Sequence, residues 1–283
     1  MVRDVAFGQY FPAKSLIHKL DPRAKIIMLI AFLVLVFCTF NYAALAVVAV
    51  CTAAIVLMSG VPVKFYFKSL KIIIFIVIVT SILNLFYGTG DPIWQWGIIK
   101  ITVNGINRSV FVTVRIICLI LASSALTFTT SPTELTDAIE RLMKPLNKVH
   151  FPVHEIAMMM SLALRFVPTL LEETDKIMQA QKARGADLEG GNVIARIKAL
   201  IPILVPLFVS SFRRAYDLAT AMECRCYHGG EGRTRMKSIH MAKRDVIGLI
   251  TVGLVVCGVV ICNILIPACL LYTSPSPRDT ERS

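Results

Sequence analysis

Residues 246–266 read VIGLITVGLVVCGVVICNILI, and this stretch decides the fold. It carries no charged side chain, and a helix of about 20 mostly apolar residues is what the roughly 30 Å hydrocarbon core of a bilayer requires. A helix bonds its own backbone polar groups, so it can cross where water is absent. Similar runs lie towards the amino end. Val110–Phe128 is one, with Arg115 near its start, and Ile72–Tyr87 is another. Ile26–Phe40 and Ala43–Met58 are shorter and separated only by Asn41-Tyr42, which predicts a tight turn and some tilt or local bilayer thinning. The first run is not a secretory signal, because a polar stretch precedes it and another span follows at once.

Composition agrees. The chain is 56% hydrophobic and 17% charged, with a mean hydropathy of +0.70. A soluble domain of this length would need far more polar surface. The predicted class is all-α: a polytopic membrane protein with about five transmembrane helices plus long amphipathic cytoplasmic helices. Residues 1–130 are expected to hold four spans, 131–245 a cytoplasmic helical region, and 246–268 the last span. After Pro267 the composition breaks into a Ser/Pro/charged run that builds no packed structure. That run resembles a translated sequencing adapter, so 269–283 is expected to be non-native, the alternative being a short disordered tail.

Lys and Arg give the orientation. Arg3, Lys14, Lys19, Arg23 and Lys25 precede the first span, and Lys64, Lys68 and Lys71 lie between the second and third. The stretch Gly88–Asn107 has only Lys100. Basic loops stay cytoplasmic, so the amino terminus is expected inside and Gly88–Asn107 outside. In that outer stretch Trp94-Gln95-Trp96, Ile99–Val103 and Asn104-Gly105 fit either a short hairpin with an aromatic interface anchor or a plain loop. The net charge of +12 follows the inner loops, so the partner it implies is the membrane surface and not nucleic acid.

The eight cysteines (38, 51, 118, 224, 226, 257, 262 and 269) avoid the outer stretch, which argues for reduced thiols over a disulfide framework. Cys224-x-Cys226 with His228 lacks a zinc-site spacing and a second ligand pair, so no metal is expected.

Ser131–Asp245 is too long for a connection and too apolar for disorder. Ser131-Pro132-Thr133-Glu134 opens a helix on which Leu135, Ile139, Leu142, Met143 and Leu146 recur at helical spacing. A second helix is expected from Val153 to Ala183, with an apolar face through Ile156, Ala163, Phe166 and Leu170, and a bend at Pro168. A third is expected from Val193 to Cys224. Small residues on both, such as Ala157 and Ser161 or Ser211 and Ala215, permit close crossing. These two helices end alike: Ala183-Arg184-Gly185 closes one and Cys224-Arg225-Cys226 the other, with Gly190-Gly191 and Gly229-Gly230 beyond. Such an arginine can complement the helix dipole and cap its carbonyls. Flanked by small residues, it can instead enter a groove and bind a carboxylate bidentately. Two copies suit a partner with two like sites.

The paired triplets resemble those of the transmembrane T component of energy-coupling factor (ECF) importers, which are ABC-type vitamin and metal importers. So do Phe7-Gly8-Gln9-Tyr10, Ser15 and His18–Lys25 at the amino end, and Tyr227–Arg235 after the second triplet. The resemblance spans about residues 5–267 and implies a bacterial plasma-membrane scaffold. That scaffold joins two cytoplasmic ABC ATPase subunits to a membrane substrate-binding S component. It also implies ATPase coupling through Arg184 and Arg225, with Ala183, Gly185, Cys224 and Cys226 as their small neighbours. Cys224 departs from the alanine more usual there. No Walker pattern occurs, so the resemblance places ATP hydrolysis in the partners, and neither catalytic residues nor a cofactor is expected. The amino-terminal motif reads structurally: Asp21-Pro22 caps the first span, and Arg23 and Lys25 sit at the headgroups. Two alternatives stay open, a dedicated cobalt, nickel or biotin system and a self-contained secondary transporter. The second would want ionisable residues at mid-membrane, where Arg115 is the lone candidate.

Overall fold

The computed structural model describes residues 10–13, 15–86, 92–96, 99–145, 152–186, 190, 192–229 and 241–265. Phe7-Gly8-Gln9, Leu146, Gly191, 230–240 and the 269–283 tail lie outside the described residues, as do the side chains of Trp94 and Trp96. The helices are α1 (Pro22–Phe37), α2 (Tyr42–Met58), α3 (Val63–Phe86), α4 (Val103–Thr129), α5 (Pro132–Met143), α6 (Val153–Ala183), α7 (Val193–Glu223) and α8 (Lys243–Leu265). An antiparallel hairpin, β1 (Pro92–Trp96) and β2 (Ile99–Thr102), precedes α4. The helices fall into two compact units, one of α1–α4 with α8 and the other of α5–α7.

Among the described residues, four helices are long and apolar enough to cross a membrane: α3, α4, α6 and α8. This differs from the five expected spans. Helices α1 and α2 have 16 and 17 residues, about 24–26 Å of rise, short of the roughly 30 Å hydrocarbon core. Conversely α6 qualifies because its first half, through Met158 to Leu171, carries few charges. Two expected boundaries also move. Helix α3 begins nine residues early, so Lys64, Lys68 and Lys71 lie on it; lysine is a good helix former and its long stem can carry the ammonium to an interface. Helix α4 takes in Asn104-Gly105, because the Thr102 side chain accepts the Gly105 N–H at 3.1 Å and caps it.

The core of the first unit joins α1 (Phe32, Leu35, Val36), α2 (Ala44, Val48), α4 (Cys118, Ala122) and α8 (Val259). The α1–α2 turn would leave carbonyls unbonded at depth, and the neighbours satisfy them: Asn263 donates to the Cys38 carbonyl at 2.7 Å and Arg115 to that of Thr39. Arg115 also lies 4.8 Å from the Phe111 ring centroid. The intramembrane arginine is therefore engaged in holding this turn. A second cluster places Tyr66 edge-on to Phe128 at 5.2 Å, its hydroxyl donating to Ser59 at 3.0 Å.

The amino-terminal motif is a set of local clips. His18 Nε2 donates to the Phe11 carbonyl at 2.9 Å, so its Nδ1 accepts from the Ser15 hydroxyl at 2.7 Å. Asp21 caps α1 by accepting the Arg23 N–H at 2.9 Å, with Pro22 in the first turn, as the sequence predicts. Lys25 corrects the headgroup reading. It is buried, and its ammonium donates to the Thr129 carbonyl at 2.9 Å and the Thr130 hydroxyl at 3.3 Å, because the last carbonyls of α4 need donors and the lysine stem reaches them.

Candidate functional site

Both arginine triplets close their helices with the same backbone turn. At the end of α6, Ala186 N–H reaches back to Gln181 O and Gly185 N–H to Lys182 O, each at 3.0 Å. At the end of α7, Tyr227 N–H reaches Met222 O at 3.1 Å and Cys226 N–H reaches Glu223 O at 2.9 Å. This six-to-one, five-to-two pair defines the Schellman motif, whose key residue takes the left-handed conformation. That residue is Gly185 (φ +85°) in one turn and Cys226 (φ +54°) in the other. Arg184 and Arg225 each stand immediately before it. The helix-ending residues lie within the triplets, where the sequence puts the helix ends, because the chain turns as soon as the last carbonyls find amide donors.

This equivalence bears on the two readings of the arginines. The backbone amides already cap the final carbonyls, so the guanidinium groups are not needed for that. Arg184 and Arg225 are exposed, as are Ala183, Gly185, Cys224 and Cys226, and neither guanidinium is bonded to another described residue. Each triplet is a charged knob between small neighbours. Among the described residues no group of His, Cys, Asp and Glu could hold a metal ion, and Cys224 and Cys226 are free thiols.

Helices α6 and α7 run antiparallel, and three contacts fix their register. Gln181 donates to the Pro202 carbonyl at 3.3 Å, Arg214 pairs with Glu173 at 2.6 Å, and the Tyr227 hydroxyl meets Met158 Sδ at 3.1 Å. The first arginine turn therefore lies beside the early part of α7, and the second beside the start of α6. From Pro202 to Arg225 is 23 residues, so the two turns stand about 35 Å apart along the pair at 1.5 Å per residue. Helix α7 also leaves Ile197, Ile201, Phe208, Phe212 and Tyr216 exposed, a stripe of roughly 28 Å with Phe208 stacked on Phe212. Contiguous apolar surface of that extent marks contact with lipid or an apolar partner.

Comparison with known proteins adds an independent finding. Residues 13–236, which include both triplets, match the protein-family model CbiQ, described as a cobalt transport protein. Over 247 residues the chain is 52% identical to an energy-coupling factor transporter transmembrane protein EcfT of Ruminiclostridium cellulolyticum, covering 87% of this chain and 92% of the relative. Proteins of the same description from Thermosediminibacter oceani and Bacillus subtilis are 49% and 45% identical, covering 88% and 89% of this chain and 94% and 96% of theirs.

Proposed function

The chain belongs to the CbiQ/EcfT family of energy-coupling factor transmembrane components, and from that premise we propose that it couples two cytoplasmic ABC ATPases to a membrane-embedded substrate-binding subunit in vitamin uptake. The observation that carries this reading is the pair of like-built arginine turns at opposite ends of α6 and α7. Each guanidinium docks in a groove of one ATPase, where a carboxylate binds it bidentately and the small neighbours let the groove close. Two turns about 35 Å apart serve two copies of the ATPase side by side. The exposed stripe of α7 takes the apolar substrate-binding subunit, which supplies the partner that a water-facing helix could not keep. ATP hydrolysis resides in the docked subunits. The amino terminus and the arginine turns that close α6 and α7 face the cytoplasm, in accord with the positive charge around them.

The test is co-purification. Tagged full chain carrying both Arg184→Glu and Arg225→Glu is expected to lose its ATPases and its uptake activity. If the double variant retains both at wild-type level, the coupling role is wrong. The family description favours a second reading of the cargo, a dedicated cobalt importer. Mass-spectrometric identification of the membrane subunit that co-purifies separates the two: several vitamin-binding subunits for a shared module, a single cobalt-specific one otherwise.

A further inference from the structure

The end of the first unit at which α1 and α8 begin holds a cavity of about 370 Å³. Apolar cavities of about 150 Å³ already admit a benzene ring, and small-molecule sites run from about 300 to 1,000 Å³. Its walls are apolar: Met28 and Phe32 of α1, Ala125 of α4, and Gly248 and Val252 of α8. On the α8 side Gly248 lets Met28 and Leu20 pack close to the helix at the cavity wall, since a Cβ there would meet Met28 Sδ at 3.2 Å. Two cations also line it in the first turns of their helices: Arg244, which is exposed, and Lys25, which is buried with its ammonium on Thr129 and Thr130. From Lys25 to Phe32 and from Arg244 to Val252 the chain advances seven and eight residues, so the apolar part runs about 10–12 Å below the charges.

Charge at the mouth and hydrocarbon beneath is the complement of one class of molecule. A free phosphate would use the cations and leave the depth empty, and a neutral hydrocarbon would have no use for the cations. We propose that the cavity binds one acyl chain of an anionic membrane phospholipid, with its phosphate at the mouth against the exposed Arg244. The lipid fills space that side chains leave open between α1, α4 and α8, and so joins the first unit to the bilayer leaflet at that end.

The full chain, reconstituted in nanodiscs of phosphatidylcholine with a minor fraction of phosphatidylglycerol, is re-extracted and its retained lipid measured by native mass spectrometry. Wild type is expected to keep one phosphatidylglycerol in preference to phosphatidylcholine. Arg244→Gln should lower that preference about fivefold. Gly248→Leu, which fills the cavity, should abolish retention, whereas Gly253→Leu on the same helix, where an added Cβ meets nothing within 4 Å, should not. A preference unchanged in Arg244→Gln, or retention unchanged in Gly248→Leu, overturns the proposal. A lipid-free chain stabilised by millimolar inorganic phosphate as strongly as by phosphatidylglycerol also overturns it, since the acyl chain would then contribute nothing.

Discussion

Asp245 Oδ1 accepts the backbone N–H of Asp21 at 2.7 Å, joining the start of α8 to the start of α1 across 224 positions of sequence. The other oxygen accepts the Ala242 N–H, also at 2.7 Å, and the Asp245 side chain is buried. One carboxylate thus terminates two chains of backbone at once.

Removing it leaves two amides without an acceptor. Hydrogen bonds to charged groups contribute about 1.5–3 kcal/mol each, so Asp245→Ala should destabilise the full chain by about 3 kcal/mol or more. Asp245→Asn keeps one acceptor oxygen and should lose about half as much. The check is the thermal midpoint in a fixed detergent, and an Asp245→Ala midpoint equal to wild type would refute the account.

The left-handed residues give a pair of opposite effects. Cys226 is the one non-glycine residue at positive φ among those described. An L-residue there is strained by about 1–2 kcal/mol, so Cys226→Gly should stabilise the end of α7 by up to about 1 kcal/mol. Gly185→Ala meets nothing within 4 Å, so backbone strain alone should destabilise α6 by about 1 kcal/mol. Hydrogen exchange of the last turn of each helix reads both, and changes of the same sign would contradict the shared geometry.

Charge reversal at the turns should act on assembly and not on folding. Truncating one member of a buried charge pair weakens binding by about 2–5 kcal/mol, some tens to thousands of times in affinity. We expect Arg184→Glu or Arg225→Glu alone to give a loosened ATPase complex with impaired uptake, and lysine at either position to rescue it only in part, lacking the planar fork. Arg213, exposed on α7, is the control, because a surface charge contributes under about 1 kcal/mol. A single reversal that weakens assembly no more than Arg213→Glu would remove that arginine from the docking scheme.

Orientation is open to direct labelling. In a cysteine-depleted chain, a cysteine at Gly90 should react with an impermeant thiol reagent from outside, and one at Gly191 only after permeabilisation. The reverse pattern would place the α5–α7 unit on the wrong side for ATPases.

What the sequence could and could not reveal follows from the range of each interaction. Helix α6 runs from Val153 to Ala183 as periodicity predicts, and the two triplets stand out because their residue types repeat at two helix ends. The turn that makes them equivalent was not visible. Glycine signals Gly185, but nothing in a cysteine signals a left-handed residue at 226. Lys25 and Asp245 were equally hidden. Their partners lie 104 and 224 positions away, and their charge, read locally, points to a surface. The early starts of α3 and α4 escaped because hydropathy marks where lipid contact begins, and a helix continues for as long as its backbone stays bonded.

The antiparallel arrangement of α6 and α7 makes the two arginine turns the tips of a beam. A tilt of about 10° over a span of about 35 Å moves one tip by about 6 Å relative to the other, more than a whole helical turn of travel. In the proposed complex, subunits gripping the tips need only small rotations to swing the exposed stripe of α7, and the prolines at 168, 202 and 206, each withholding one backbone donor, are where the beam can yield. On the proposed coupling role, stiffness between the tips, as much as grip at them, sets how much motion reaches the membrane.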